Sequence, residues 1–445
     1  MARLFGTDGI RGVANRDLTP DLALAVGRAA GSILQEGRAR PAVVVVGRDT
    51  RLSGPMLESA LVAGLCSAGT DVLRGGILPT AAVAYLTVEE RCAGGAVISA
   101  SHNPVADNGI KFFSADGRKA GRETEAAIEA RATISVDELP MSEGIGSVED
   151  FHGGADRYVD HLLAALETPL RGLRVVLDCA FGAAFNVGPR AFREAGAEMT
   201  AIHAEPDGSR INVDCGATSL GKLARAVVEE GADVGFAFDG DADRVLAVDE
   251  RGEEVDGDRL IGMTARHLRS LDALHGDVVV TTVMSNLGFR RALEESGIEV
   301  VAAPVGDRFV AEAMAEVGAS LGGEQSGHVI FAEHATTGDG ILTALQIAAI
   351  LEEADEPLSK LAHFYEPFPQ VLLNVPVSST SALDTAEEVW AAVRAAEESL
   401  GTDGRVLVRA SGTEPLVRVM VEASDGRVAE ETSERLAEVV RANLA

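Results

Sequence analysis

Short stretches of this chain hold residues whose types and spacing could do chemistry. "DGDADR" sets Asp239, Asp241 and Asp243 at alternating positions directly after the apolar run "VGFAF". Hard oxygen donors spaced in this way suit Mg2+ or Ca2+. A solvated acidic turn is the plainer alternative, and the buried run before it argues against that. An EF-hand loop would also place Glu250 at its twelfth position. It fails because Arg244 stands where that loop requires glycine, and "RVLAV" alternates like a strand. What remains is a compact carboxylate site with coordination positions open to a phosphate oxygen.

"GGAVISASHNPVADNGIKFF", residues 94–113, begins as a buried strand and breaks into a loop at Pro104 and the Asp107-Asn108-Gly109 turn. Ser101 at that break has three readings: a turn residue, a hydrolase nucleophile, or the carrier of a covalent group. The hydrolase reading is weak. The G-x-S-x-G elbow is missing, and on an extended chain the neighbouring His102 should point away. Basic residues able to approach this loop are Arg11 in "GTDGIRG", Arg48 and Arg51 in "GRDTR", and Lys111. A surface ion pair is the commoner fate of each, and in "GRDTRLSG" Asp49 and Ser53 could cap a helix start.

"GGEQSGH" carries Glu324, Ser326 and His328 between glycines. It is either a glycine-rich turn with ordinary polar side chains or a grip for a polyhydroxylated ligand. "RASGTEPLVR" reads as an anion cradle: Arg409 and Arg418 offer guanidinium forks, and Ser411, Gly412 and Thr413 offer hydroxyl and backbone donors. No Walker lysine pattern accompanies it, so a nucleotide is not implied.

The elements that must position these loops recur. Three times the chain gives an apolar strand, a helix, a second strand, and a third strand ending in one of the unusual loops. The first strands are "AVVVVGRDTR" (42–51), "RVVLDCAFGAA" (174–184) and "DVVVTTVMSNLG" (277–288), with helices at about 54–68, 184–195 and 286–296. The third strands end in "ISASHNP", "FAFDGDADR" and "LGGEQSGHV". Ligands of α/β sheets bind beyond the carboxyl ends of strands, so each repeat is expected to contribute a different tool. After about residue 370 the order becomes β-α-β-β-α. The expected fold is α/β: three related α/β domains with mixed sheets, 1–150, 151–252 and 253–368, followed by a smaller α+β C-terminal domain, 369–445. "EEADEP" at 352–357 and residues 367–371 mark the seam.

With 39 Lys and Arg against 69 Asp and Glu, the net charge is −30, which argues against a nucleic-acid or anionic-membrane partner. It also makes the few basic clusters conspicuous, as an anionic substrate would require. Cys66, Cys92, Cys179 and Cys215 are widely spaced, without a C-x-x-C pair, and read as reduced core or loop residues. No run of apolar residues is long enough to span a bilayer. "MARLFGTDGIRG" lacks a signal-peptide core, so the cytoplasm is the expected location.

The ordered set "SASHNP", "DGDADR", "GGEQSGH" and "RASGTEP" resembles the α-D-phosphohexomutase family along essentially the whole chain. "LFGTDGIRG", "DNGIKFF", Gln325 and "TTGDG" (336–340) make it most similar to members acting on glucosamine phosphates, more than to those acting on mannose or glucose phosphates, which tend to carry Met at the Gln325 position. The resemblance implies a phosphoserine at Ser101, with Asp239, Asp241 and Asp243 and a phosphoserine oxygen on one Mg2+. It implies that Glu324 and Ser326 grip sugar hydroxyls. Arg409, Ser411, Gly412, Thr413 and Arg418 would hold the substrate's phosphate. Arg11, Lys111 and His328 would serve the chemistry near the phosphoserine. The expected reaction interconverts glucosamine 6-phosphate and glucosamine 1-phosphate through a sugar 1,6-bisphosphate. Ser101 then needs no adjacent base, because the resting enzyme already carries the phosphoryl group. Phosphomannomutase/phosphoglucomutase activity is the runner-up, a Mg2+-dependent sugar phosphatase and a non-catalytic phosphosugar sensor are the rivals from other classes, and a homodimer is an allowed assembly. In "DGSRINVDCGATS" the chain departs from the family, with Arg210 and Ser219 in place of asparagine-like and histidine-like residues.

Overall fold

The computed structural model describes residues 4–6, 8–38, 41–133, 139–411 and 415–444. They fall into two compact units, Met1–Met284 with Ile298–His363, and Ser285–Gly297 with Phe364–Ala445.

The first unit holds three sheets. One contains β1 (Ile10–Val13), β2 (Val43–Arg48), β3 (Asp71–Ile77), β4 (Gly94–Ile98), β5 (Asp107–Ser114) and β6 (Val148–Asp150) in spatial order β1-β5-β4-β2-β3-β6. The next contains β7 (Arg174–Asp178), β8 (Glu198–Ile202), β9 (Val234–Phe238), β10 (Val245–Asp249) and β11 (Glu254–Val255) in order β11-β10-β9-β7-β8. The third contains β12 (Val278–Thr282), β13 (Glu299–Ala303), β14 (Leu321–Gly323) and β15 (Val329–Phe331) in order β13-β12-β14-β15.

One plan underlies all three. A central strand (β2, β7, β12) pairs in parallel with the strand that follows it and with the third strand of its repeat. The third strand (β4, β9, β14) then turns back into an antiparallel partner (β5, β10, β15). The central strands are rich in valine and largely buried on both faces, as a helix-covered parallel sheet requires. The turn from third strand to antiparallel partner is therefore equivalent in each sheet. Those turns are residues 99–106, 239–244 and 324–328, the stretches that carry Ser101, the three aspartates and "EQSGH".

In the second unit β16 (Gln370–Pro376), β17 (Gly404–Ala410) and β18 (Leu416–Ala423) form an antiparallel sheet in order β16-β18-β17. Its apolar face, including Val375, Val417, Val419 and Val421, packs with Leu436, Ala437 and Val440 of the helix Gly426–Leu444. The helix expected to cover the third repeat, Leu287–Glu295, also belongs to this unit, contrary to the simple repeat. Its N-terminal Leu287 N–H donates to Glu422 Oε2 (3.0 Å), a fully buried carboxylate that Arg405 Nε also contacts at 2.6 Å. A carboxylate is well placed at the positive end of a helix dipole. Gly288 lies so close to the Glu366 carbonyl that a Cβ would come within 2.4 Å of it.

Candidate active site

Ser101 sits where β4 has ended, buried and in the left-handed region at φ 51°. Arg51 holds the loop there. Its Nε pairs with Asp49 Oδ2 at 2.9 Å. Its Nη1 donates to the carbonyls of Pro104 (2.6 Å) and Asp107 (2.9 Å). Its Nη2 donates to those of Ser101 (2.9 Å) and Asn103 (2.8 Å). All five guanidinium N–H groups are thus used inside a fully buried side chain. Asp49 also accepts from the Ser99 hydroxyl (2.6 Å), whose oxygen in turn takes the Ser101 N–H (2.9 Å). Asp49 is thus no helix cap, and Ser53 occupies the N-cap position of the helix Gly54–Ser67 without a side-chain capping bond, accepting instead from Asn108 Nδ2 at 2.9 Å. Arg48 turns to Glu58 instead, 3.1 Å away.

The left-handed Ser101 also corrects the expectation for His102. The chain is not extended here, so the two side chains do not diverge, and His102 Nδ1 lies 3.2 Å from Ser101 Oγ. Burial, with the charges of Arg244 and Arg11, pushes the His102 imidazole down to about 4, leaving it uncharged at neutral pH.

The Ser101 hydroxyl donates to Asp239 Oδ2 at 2.5 Å. Asp239, Asp241 and Asp243 are buried together, with ligand oxygens within 4.8 Å of one another. Gly240 is required between them, since a Cβ there would lie 2.6 Å from the Ser101 carbonyl. Burial and the charges of Asp243 and Asp241 raise Asp239 well above the carboxylate range. Burial also works against an ionised Asp241, but Lys111 and the Thr80 hydroxyl, 2.6 Å away, outweigh it and hold Asp241 low. Thr80, at the start of a helix, was not legible as a site residue.

Lys111 Nζ, on β5, is buried and donates to Asp241 Oδ2 (3.0 Å) and Asp243 Oδ2 (3.3 Å). Burial alone would lower its pKa; Asp241 and Asp243 reverse that and raise it. Arg11 Nη1 donates to Asn103 Oδ1 at 3.1 Å, and Arg11 also pairs with Asp8. Among the described residues, buried Asp241 Oδ1 and Asp243 Oδ1 lack a donor, and buried Arg11 Nε and Arg244 Nε lack an acceptor. Orphaned oxygens and N–H groups side by side fit a divalent cation and an anion held together. The all-oxygen donor set fits Mg2+.

His328 closes the third equivalent loop. The Gly338 N–H donates to its Nε2 at 3.1 Å, which puts the proton of the neutral ring on Nδ1, 3.9 Å from Asp243 Oδ2. Glu324 Oε1 accepts from the Gly306 N–H (3.0 Å), and the exposed Ser326 hydroxyl lies 3.4 Å from Glu324 Oε2. Gln325 points elsewhere, to Asp256, the N-cap of the helix Gly257–Ser270. A cavity of about 310 Å3 is lined by His328, Lys119, Asp307, Arg308 and Thr336. A larger one, about 400 Å3, is lined by acidic residues such as Asp233, Glu250 and Glu352 and shares none of the site residues.

In the second unit Arg409 and Arg418 stand directly opposite each other on β17 and β18. Like charges so placed are unfavourable unless an anion joins them. Burial and the charge of Arg418 lower the Arg409 pKa, and Arg418 Nε is buried without an acceptor among the described residues. Ser411 is buried beside them, its N–H donating to the Leu416 carbonyl at 2.9 Å. Gly412 and Thr413 lie outside the described residues.

The chain belongs to the phosphoglucomutase/phosphomannomutase family. Its alpha/beta/alpha domains I, II and III match residues 2–136, 156–252 and 256–368, and its C-terminal domain matches 372–439. Among curated relatives, phosphoglucosamine mutase of Salinispora tropica is 53% identical over 445 residues, covering 99% of both chains. That of Streptomyces griseus is 53% identical over 452 residues, covering 100% of both. A solved phosphoglucomutase/phosphomannomutase family protein from Burkholderia thailandensis superposes with a TM-score of 0.86 at 26% identity, over 99% of this chain and 97% of that one. Aspergillus fumigatus N-acetylphosphoglucosamine mutase, solved with GlcNAc-6P and magnesium, shares the fold: TM-score 0.72, 20% identity, 99% and 96% coverage.

Proposed function

We propose that this chain is a phosphoglucosamine mutase, an isomerase that interconverts glucosamine 6-phosphate and glucosamine 1-phosphate by way of a phosphorylated Ser101 and a sugar 1,6-bisphosphate. The observation that carries the reading is the Ser101 hydroxyl, held in a left-handed turn 2.5 Å from the buried three-aspartate cluster. The full-length likeness to phosphoglucosamine mutases supports the choice of sugar. The product suits synthesis of amino-sugar nucleotides and cell-wall precursors. The division 1–150, 151–252, 253–368 and 369–445 is the domain organisation we propose, and the family matches support it. Cytoplasmic location is part of the proposal; no described helix is long and apolar enough to cross a membrane.

Asp239, Asp241 and Asp243 would hold Mg2+, which supplies charge neutralisation at the phosphoserine. Phosphoryl transfer runs through a loose transition state, so position and charge decide the rate. Arg11 and Arg244, whose buried Nε–H groups have no acceptor among the described residues, would take oxygens of the phosphoserine's dianion. Lys111 Nζ, charged beside these carboxylates, would give a proton to the departing Ser101 oxygen and take one back from the attacking sugar hydroxyl, while the Nδ1–H of His328 faces the same Asp243 carboxylate. Glu324 and Ser326 grip sugar hydroxyls. Arg409, Ser411, Gly412, Thr413 and Arg418 hold the phosphate the substrate brings. The sugar leaves Ser101 as a bisphosphate, reorients, and returns its other phosphate to Ser101, which restores the starting enzyme.

Intact mass and peptide mapping should find one phosphate on Ser101, increased by sugar bisphosphate. Side-by-side turnover of the 1-phosphates of glucosamine, glucose and mannose should favour glucosamine. Full activity of Ser101→Ala would refute the carrier role; release of inorganic phosphate in place of isomer would mark a phosphatase.

A further inference from the structure

At the carboxyl ends of β7 and β8 the backbone passes through several left-handed residues other than glycine: Ala180 (φ 53°), Phe181 (φ 52°) and His203 (φ 50°), then Asn212 (φ 60°) and Asp214 (φ 51°) in the connector. Such conformations persist only where the surroundings impose them, and they gather at functional sites. These turns bring together Asp178, His203 and Cys215, with ligand atoms within 4.8 Å of one another. Asp178 and Cys215 are fully buried. His203 Nδ1 is itself buried, 3.0 Å from Asp178 Oδ1, and has no well-aligned hydrogen-bond partner among the described residues. Asp178 is fixed by the Ala180 N–H on Oδ1 (2.9 Å) and the Gly216 N–H on Oδ2 (3.0 Å), which leaves a lone pair on each oxygen. The Cys215 thiol is 4.0 Å from the Arg210 carbonyl, at the limit for a sulfur hydrogen bond.

We propose that Asp178, His203 Nδ1 and Cys215 Sγ form a second metal site, for a zinc-class dication, with solvent completing the coordination. Thiolate and imidazole are soft or borderline donors that favour Zn2+ over Mg2+, and three protein ligands with one open position is an established zinc arrangement. The three-aspartate cluster offers oxygen alone, so the two sites sort metals by donor chemistry. On binding, the Cys215 S–H bond breaks, its proton passes to solvent and the sulfur's electron pair forms the metal bond. Because binding releases this proton, occupancy should rise with pH. The site borders the backbone that carries the phosphoserine loop. Asn212 donates its side-chain N–H to the Ser101 carbonyl (2.8 Å), and the Phe181 carbonyl accepts from the Thr50 hydroxyl (2.5 Å).

The test uses Mg2+-saturated full-length protein titrated with Co2+ as a spectroscopic substitute for Zn2+. The expected result is a thiolate-to-cobalt charge-transfer band that saturates at one Co2+ per chain and is displaced by Zn2+ but not by Mg2+. Co2+ held only by the aspartates cannot produce that band. Cys215→Ser should abolish it, His203→Asn should weaken binding at least about tenfold, and Cys66→Ser should leave it unchanged, with circular dichroism confirming the fold of each. No band in folded wild-type protein, or a band that survives Cys215→Ser, overturns the site. If Cys215→Ser does not fold, His203→Asn decides: an unaltered titration refutes the proposal.

Discussion

Arg51 shows how much one side chain can organise. It is wholly buried, and its two Nη groups satisfy the carbonyls of Ser101, Asn103, Pro104 and Asp107. Lysine keeps the charge but offers three donors from a single nitrogen, so Arg51→Lys leaves buried carbonyls unpaired at about 1–3 kcal/mol each. The expected outcome is an unfolding free energy lowered by several kcal/mol and turnover reduced more than about tenfold, because Ser101 loses its position. Unchanged stability would show that the loop holds itself. Asp243 should behave differently. Asp243→Asn removes one of three crowded carboxylates while Lys111 keeps Asp241, so thermal stability should move little. Turnover should fall more than about a hundredfold and no longer rise with added Mg2+, as expected for a lost metal ligand worth several kcal/mol at the transition state. Undiminished Mg2+-dependent turnover in this variant would remove Asp243 from the site.

At the scale of elements, equivalent turns of one repeated sheet plan deliver different side chains, and the elements behind them keep those side chains aimed. Between β15 and the helix Gly340–Ala354, a Cβ on Gly338 would lie 2.4–2.5 Å from the His328 ring. Gly338→Ala should therefore displace the ring from Asp243 and lower kcat with little change in KM; unchanged kinetics would show that His328 is dispensable. The N-cap of the same helix, Asp339, accepts from the Leu342 N–H (2.9 Å) and the Tyr158 hydroxyl (2.7 Å). Burial raises its pKa from 3.8 to about 6. The folded state thus holds this proton more tightly than the unfolded chain does. The associated stability is complete below pH 3.8 and is lost as pH rises through about 6. That difference in proton affinity corresponds to roughly 3 kcal/mol. Denaturant melts between pH 4 and 7 should show that loss in the wild type and a flatter profile in Asp339→Asn; parallel profiles would contradict it.

At the scale of the whole molecule, the proposed reaction asks one phosphate cradle to serve both half-reactions. Arg409→Ala removes a charge-assisted contact worth about 1.5–3 kcal/mol. KM should rise more than about tenfold for glucosamine 6-phosphate and for glucosamine 1-phosphate alike. An effect on one isomer alone would refute a shared cradle and the reorientation that depends on it. Ser101→Ala should differ in kind, leaving calorimetric binding of both phosphates near wild type while abolishing turnover.

The sequence by itself determined what depends on neighbours along the chain. The alternating carboxylates of "DGDADR", the buried valine runs and the turn residues after them specified the repeated strands, the loop that ends each, and the β-α-β-β-α tail. Local periodicity and turn chemistry are encoded within a few residues, so they are legible there. Tertiary structure decided what depends on backbone conformation and on contacts between distant segments. A left-handed Ser101 brings His102 beside the hydroxyl that an extended chain would have kept apart. Glu422, more than a hundred residues away, accepts from the N-terminus of the helix Leu287–Glu295 in the C-terminal unit. Arg51 becomes the clamp of a loop about fifty residues on, and Asp178, His203 and Cys215 meet although no spacing in the chain announces them. Such encounters are set by how sheets and their loops pack, and packing is a property of the folded chain as a whole.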